Sequence, residues 1–317
     1  KDIGPKRTPR KKSRDVLDIA FIGNFKAEHS TENQIKWALE EGLGHNVEML
    51  QENEVRFSEI CAAAQFSDLL FWVRTPGWLN VPDREMFEFL EKTEVPTVSI
   101  HLDKFFSIPE REALIGKIPF WKCKWVFTAD GSRQDDFKAR GVNHFWMRPA
   151  VSEVFCHPGI PREEFLCDVG FVGSRAYHDK EYPFRGQLIA FLEVTYGDRF
   201  KLIDGGVRGH LLNDAYASMQ VIVGDCIFSG TPRYWSDRVP ETMGRYGFLV
   251  HPLVEELPPV ADVYKPQNLG SLRDCIERSL KWSSRQRKNI VEHCAAHVRT
   301  HDTWTLRLAE ILNTVLK

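Results

Sequence analysis

An arginine and a glutamate three residues apart at the start of a helix can grip a nucleoside diphosphate, and Arg238 and Glu241 have that spacing. A guanidinium beside a helix N-terminus can pair with a diphosphate, and a carboxylate one turn further along the same face can accept both hydroxyls of a ribose. The plainer alternative is an Arg–Glu pair that only caps a helix. Both residues belong to the segment 234–252, which holds more than a turn requires: Tyr234, Trp235 and Ser236 precede them, and Gly244, Gly247 and the apolar run Phe248-Leu249-Val250 follow.

Two glycine loops could hold an anion. The stretch Asp168-Val-Gly-Phe-Val-Gly-Ser174, followed by Arg175 with Lys180 and Arg185 nearby, places small residues directly after a strand, where backbone N–H groups can meet a phosphate. Gly23-Asn24-Phe25 ends the first strand of the chain in the same way, and a tight turn is the simpler reading of each. The order Gly-x-Gly-x-x-Gly is absent from that first turn, which removes the main support for a nicotinamide or flavin enzyme.

The elements that must position these residues alternate. Short apolar runs predict strands at 16–23, 47–50, 69–73, 97–100, 125–128 and 145–148, with helices at 32–43, 57–65, 84–92 and 133–140. The prolines of 149–161 mark a linker. A second set follows, with strands at 168–174, 200–203, 221–223 and 248–250 and helices at 183–194, 211–218, 238–245, 269–281, 284–299 and 303–316. Alternation of this kind implies an α/β protein with two Rossmann-like, doubly wound domains facing a cleft at the C-terminal edges of their sheets. The expected division is a basic arm at 1–14, a first domain at 15–150, a linker at 151–161, a second domain at 162–300, and a C-terminal helix at 301–317 packing back on the first domain.

Composition limits the remaining classes. With 43% hydrophobic and 27% charged residues in 317, the chain has ordinary globular composition. The seven cysteines are odd in number and form no Cys-x-x-Cys pair, which argues against a zinc site or a disulfide framework. No apolar stretch is long enough for a membrane span and no signal-peptide pattern opens the chain, so a soluble cytoplasmic protein is expected, without a membrane partner. The net charge of −2 conceals a basic arm containing Lys1, Lys6, Arg7, Arg10, Lys11, Lys12 and Arg14. Such an arm suits nucleic acid, or is simply a solvated terminus.

The segment 234–252 resembles the donor-site signature of glycosyltransferases of the GT-B fold. More narrowly, it is similar to the CgeB-like spore-maturation family, whose members include glycosyltransferases of tailed phages. Arg238, Glu241, Gly244, Gly247 and 248–250 carry the likeness, with 168–174 and Leu212-Asn213-Asp214-Ala-Tyr216 as supporting matches; Tyr246 stands where close relatives are expected to carry glycine. The resemblance implies a hexosyltransferase that uses UDP-glucose or a similar nucleotide sugar as co-substrate and needs no cofactor. Arg238 and the Gly173-Ser174 loop would hold the diphosphate with Arg175 and Arg185 near it, Glu241 the ribose, and Asp204-Gly205-Gly206 the base. Tyr234, Trp235 and Ser236 complete the expected donor set. No Asp-x-Asp motif occurs, so metal-independent transfer is the expectation. If the sugar's configuration inverts, a base should come from the first domain: Asp103 with His101 beside it, or else Glu28 and His29.

The acceptor side is expected at Gly23, Asn24, Phe25, His29, Arg74 and Trp78. Phage relatives, the basic arm and the aromatic-basic stretches 74–78 and 120–125 together favour double-stranded DNA bearing a hydroxymethylated pyrimidine. A phage-encoded enzyme would work in the host cytoplasm. Trp121 and Trp125 can equally be one core face. A carbohydrate or protein acceptor, a non-catalytic nucleotide-sugar-binding protein and a nucleotide-sugar epimerase stay open.

Overall fold

Strands whose two faces are both covered read as continuous apolar runs, and this is how the first half of the chain builds its sheet. The structure, a computed structural model, describes residues 16–175, 182–203, 205–225 and 232–317. The basic arm, Lys180, Asp204 and Cys226 lie outside these residues. Six parallel strands, β1 (Asp18–Gly23), β2 (Asn46–Gln51), β3 (Leu69–Val73), β4 (Thr97–His101), β5 (Trp125–Thr128) and β6 (His144–Trp146), lie in the order β2-β1-β3-β4-β5-β6. Between them run α1 (Thr31–Trp37), α2 (Phe57–Phe66), α3 (Asp83–Lys92), α4 (Pro109–Glu112) and α5 (Gln134–Ala139). The period of two along a strand shows in β3: Leu70 and Trp72 enter one core, while Leu69, Phe71 and Val73 enter the core on the opposite face.

The second half repeats the plan with five parallel strands, β7 (Cys167–Val172), β8 (Phe200–Ile203), β9 (Met219–Val223), β10 (Leu249–Pro252) and β11 (Asp262–Tyr264), in the order β11-β10-β9-β7-β8. Its helices are α6 (Arg185–Tyr196), α7 (Gly209–Ala217), α8 (Arg238–Gly244), α9 (Leu269–Leu280) and α10 (Ser284–His301). The three-residue edge strand β11 has no counterpart in the sequence expectations, because Asp262-Val263-Tyr264 is too short to show a pattern. No helix among the described residues is long and apolar enough to cross a membrane.

A last helix, α11 (Trp304–Val315), leaves the second half and enters the core of the first. Trp304, Leu308, Ile311 and Leu312 are buried there with Ile19, Phe21 and Phe71. The chain therefore passes between the halves twice, and the two passages touch. Val151 bridges to Thr303, its N–H donates to the Asp302 carbonyl at 3.1 Å, and its own carbonyl accepts from the Trp304 N–H at 3.0 Å. The Asp302 carboxylate, 2% exposed, accepts from the Arg307 guanidinium at 2.9 Å and lies 3.3 Å from that of Arg148.

Candidate functional site

Loops that leave the C-terminal ends of parallel strands meet between the two sheets, where open α/β sheets bind ligands. A cavity of about 710 Å³ lies there. Its second-half wall is built from the ends of β7 and β8 and the starts of α7 and α8, including Gly173, Ser174, Gly205, Gly206, Arg238 and Glu241; His29 and Gln34 come from the first half.

Arg238 is set by three contacts. Its guanidinium pairs with the buried Asp225 just after β9, stacks 4.9 Å from the Phe171 ring centroid, and passes tightly over Gly173. A β-carbon at Gly173 would come within 2.7 Å of the Arg238 Nη2, and its φ of 142° lies outside the range L side chains prefer, so only glycine fits. Arg185 binds the same Asp225, Nε to Oδ2 at 2.6 Å. Burial alone would raise the Asp225 carboxyl, but Arg238 and Arg185 together hold it below its ordinary value. Two guanidiniums on one carboxylate leave that cluster one positive charge in excess, and Arg238 is its member in the cavity wall, where it can meet an anion.

Glu241 is oriented from behind. Its Oε2 accepts from the Arg245 Nε at 2.8 Å, and Arg245, 2% exposed, also donates to the Gly209 carbonyl at 2.7 Å and to Asn213, with its guanidinium 4.2 Å from the Phe155 ring centroid. The other oxygen, Oε1, has no partner among the described residues. The cavity also receives the N-terminus of α7, preceded by Gly205 and Gly206 with φ of 56° and 73° and by the exposed Arg208. Helix N–H groups and a solvent-facing guanidinium there add to the attraction for phosphate.

A smaller cavity of about 270 Å³ adjoins the first. It lies over the ends of β3 and β4 and includes Arg74, His101 and Asp103 in its wall. Buried carboxylates fix both loops: Glu52 accepts from the Thr75 N–H at 2.9 Å and the Trp72 indole at 3.1 Å, and Asp130 accepts from the N–H groups of Phe105 at 2.9 Å and Phe106 at 3.1 Å. Burial pushes His101 down to about 4, so the ring is neutral near pH 7, and its Nδ1 accepts from the Asp103 N–H at 3.1 Å. Asp103 lies 3.5 Å from Arg111.

Several expected site residues stand elsewhere. Tyr234, Trp235 and Ser236 are 1%, 2% and 8% exposed and do not line the cavity. Tyr234 packs with Ala129, and Trp235 meets Trp146 edge-on at 5.9 Å, because a large apolar surface this close to the first half is better buried against it than left in the cleft. Arg185 is buried behind Asp225, and Arg175 is turned outward to Glu193. Gly23, Asn24 and Phe25 fall outside both cavity walls, with Phe25 packed on Phe21. Trp78 is 43% exposed and also outside both. Phe120 and Trp121 are 0% and 1% exposed in the first core, which excludes them as a base-stacking platform. Arg208, Asp225, Asp237 and Arg245 join the site without a signal of their own in the sequence. Asp225 acts through partners distant in sequence and Arg245 partly so, while Arg208 follows the 204–206 loop and Asp237 lies within the segment 234–252.

The two sheets, their cleft and the return of the last helix define the GT-B class of fold. Solved structures with this fold include an α-glucosyltransferase in complex with UDP-glucose and DNA containing an abasic site, which is 7% identical with a TM-score of 0.71 over 95% of this chain and 100% of that one. A UDP-forming trehalose-phosphate synthase from Burkholderia xenovorans is 12% identical, with a TM-score of 0.60 over 95% and 99%. OtsA without ligand is 9% identical, with a TM-score of 0.60 over 93% and 98%. No protein-family model and no curated protein matches the sequence, so the likeness to the CgeB-like family rests on the motif residues alone.

Proposed function

We propose that the protein transfers a hexosyl group from a nucleotide sugar of the UDP-glucose type to a hydroxyl, with a hydroxymethylated pyrimidine in double-stranded DNA as the favoured acceptor. The observation that carries the donor half is the convergence of Gly173, Ser174, Arg208, Arg238 and Glu241 on one cavity wall. Arg238, poised by Asp225 and cleared by Gly173, would meet the diphosphate and stabilise charge as the C1–O bond breaks. The N–H groups of α7 and Arg208 would add to it. Glu241, held by Arg245, would take the ribose hydroxyls. Arginine and backbone donors would thus do what a cation does elsewhere, and transfer should persist in a chelator.

The acceptor reading is supported by the likeness to a DNA-bound α-glucosyltransferase and by the basic arm of the sequence. The likeness to trehalose-phosphate synthases favours a second reading, a carbohydrate acceptor. Labelled UDP-glucose mixed with hydroxymethylated duplex DNA decides between them. Label in the DNA is the expected result, and label passing instead to glucose or glucose 6-phosphate in a parallel mixture selects the carbohydrate reading. A protein that binds no nucleotide sugar would overturn both.

A further inference from the structure

Three residues, Thr31, Leu102 and Asp237, belong to the walls of both cavities, and of these only Asp237 can ionise near neutral pH. It comes from the second half, immediately before Arg238, yet Tyr234 and Trp235 bind its segment against the first half, so it is fixed at the seam. Its carboxylate takes a hydrogen bond from the Arg238 backbone N–H but forms no ion pair among the described residues. The same smaller cavity is lined by Arg74, half-buried and with no hydrogen bond or ion pair among the described residues. Burial lowers the Arg74 guanidinium from its ordinary value, against the pull of Glu52 and Asp83. A carboxylate and a guanidinium that face one small space without an ion pair each keep hydrogen-bonding capacity that a ligand can use.

The space limits the ligand. At about 270 Å³ it falls below the roughly 300–1,000 Å³ of pockets that enclose a whole small molecule, so it takes one ring. Resting on the glycosyl-transfer reading above, we propose that the smaller cavity receives the hydroxyl-bearing ring of the acceptor, with Asp237 meeting its hydroxyl and Arg74 an oxygen on its edge. The acceptor oxygen forms its bond to the sugar C1 while the C1–O bond to the diphosphate breaks. The electron pair leaves on the diphosphate oxygen beside Arg238, and the hydroxyl proton passes to the Asp237 carboxylate.

The surroundings suit that task. Asp237 is accessible to cleft water but crowded by protein from both halves. Burial lifts its carboxyl to about 6, with Glu241 and Asp103 adding to the rise and Arg238 opposing it. Tyr182 also faces it by charge, and Glu32, Arg74 and His101 share the smaller cavity. Asp103, the base expected from sequence, is engaged by Arg111 and lines only the smaller cavity.

The test compares wild type, Asp237→Asn, Asp103→Asn and Arg74→Lys. UDP-glucose affinity is measured by calorimetry, and UDP release is followed with water as acceptor. Transfer is assayed to 5-hydroxymethylcytosine DNA, glucose and glucose 6-phosphate, and whichever of these the wild type glycosylates becomes the acceptor probe. Asp237→Asn should bind UDP-glucose as wild type does but release UDP and transfer sugar at least about 100-fold more slowly. The wild-type rate should rise with pH through about 6, where the carboxylate forms, and the variant should lose that limb. Arg74→Lys should keep donor affinity and water-directed release while raising the acceptor KM about tenfold or more. Wild-type rates in Asp237→Asn, the main loss in Asp103→Asn, an unchanged KM in Arg74→Lys, or no acceptor used would each overturn the proposal. Absence of UDP-glucose binding by the wild type would instead overturn the donor reading beneath it.

Discussion

The two walls of the cleft are built from the same kind of sheet but differ in how their charges are handled. On the second-half wall, Arg238 and Arg185 share Asp225, and Glu241 is held by Arg245, so most charges have a partner that fixes their geometry. On the first-half wall, His101 is neutral, Asp103 touches Arg111, and Arg74 stands unpaired among the described residues. A wall that keeps its charges paired is pre-organised for one constant ligand. A wall with a spare charge leaves its interaction to whatever enters. Under the proposed transfer, that contrast fits the nucleotide on one side and the acceptor on the other.

Both walls depend on the joint between the halves. Asp302→Ala should cost about 3 kcal/mol of stability, because it removes the buried carboxylate shared by Arg307 and Arg148 and leaves Arg307 only Glu310 and the His301 carbonyl. Urea unfolding measures it, and the loss should affect both walls together. Arg238→Ala acts on one wall only: transfer should fall about 10²–10³-fold with the fold intact, as rates beside unfolding curves will reveal. A weaker effect on the same wall is expected from Glu241→Gln, which should raise the donor KM about tenfold, the loss of one charged hydrogen bond. A donor lacking the 2′-hydroxyl should suffer in the wild type and little further in the variant; equal penalties in both would remove Glu241 from the ribose.

The smallest effect concerns Tyr246, with a φ of 63° in the turn after α8. Its hydroxyl accepts from Arg299, and that guanidinium also lies 5.5 Å from its ring centroid. Glycine would relieve the backbone and lose those contacts, so Tyr246→Gly should stay within about 1 kcal/mol of wild type. Tyr246→Ala, which keeps the strain and loses the contacts, should be about 1 kcal/mol less stable than the glycine variant in the same unfolding experiment.

Much of the architecture was legible, because strand and helix patterning is local. The apolar runs at β1 and β3 and the glycine that closes β7 announced themselves from neighbouring residues. The donor wall was legible in part for the same reason: Gly173, Ser174, Arg238 and Glu241 lie in short segments with distinctive spacing. Aromatic residues misled, since Tyr234 and Trp235 look the same in a sequence whether they stack on a ligand or seal a domain seam. Partnerships across long separations were hidden altogether. Nothing near Arg185 or Arg238 in sequence points to Asp225, and nothing in the run 234–238 says that Asp237 would face Asp103 and Arg74 from the other half.

The helix α11 has a consequence for how the chain matures. Trp304, Leu308, Ile311 and Leu312 complete the core of the first half, yet they are translated only after every strand of the second. During synthesis the first half therefore emerges with an apolar groove beside α1 that no earlier segment can fill, and it cannot reach its final stability by folding in order from its N-terminus. A product cut before α11 would lack both the joint and a finished first half.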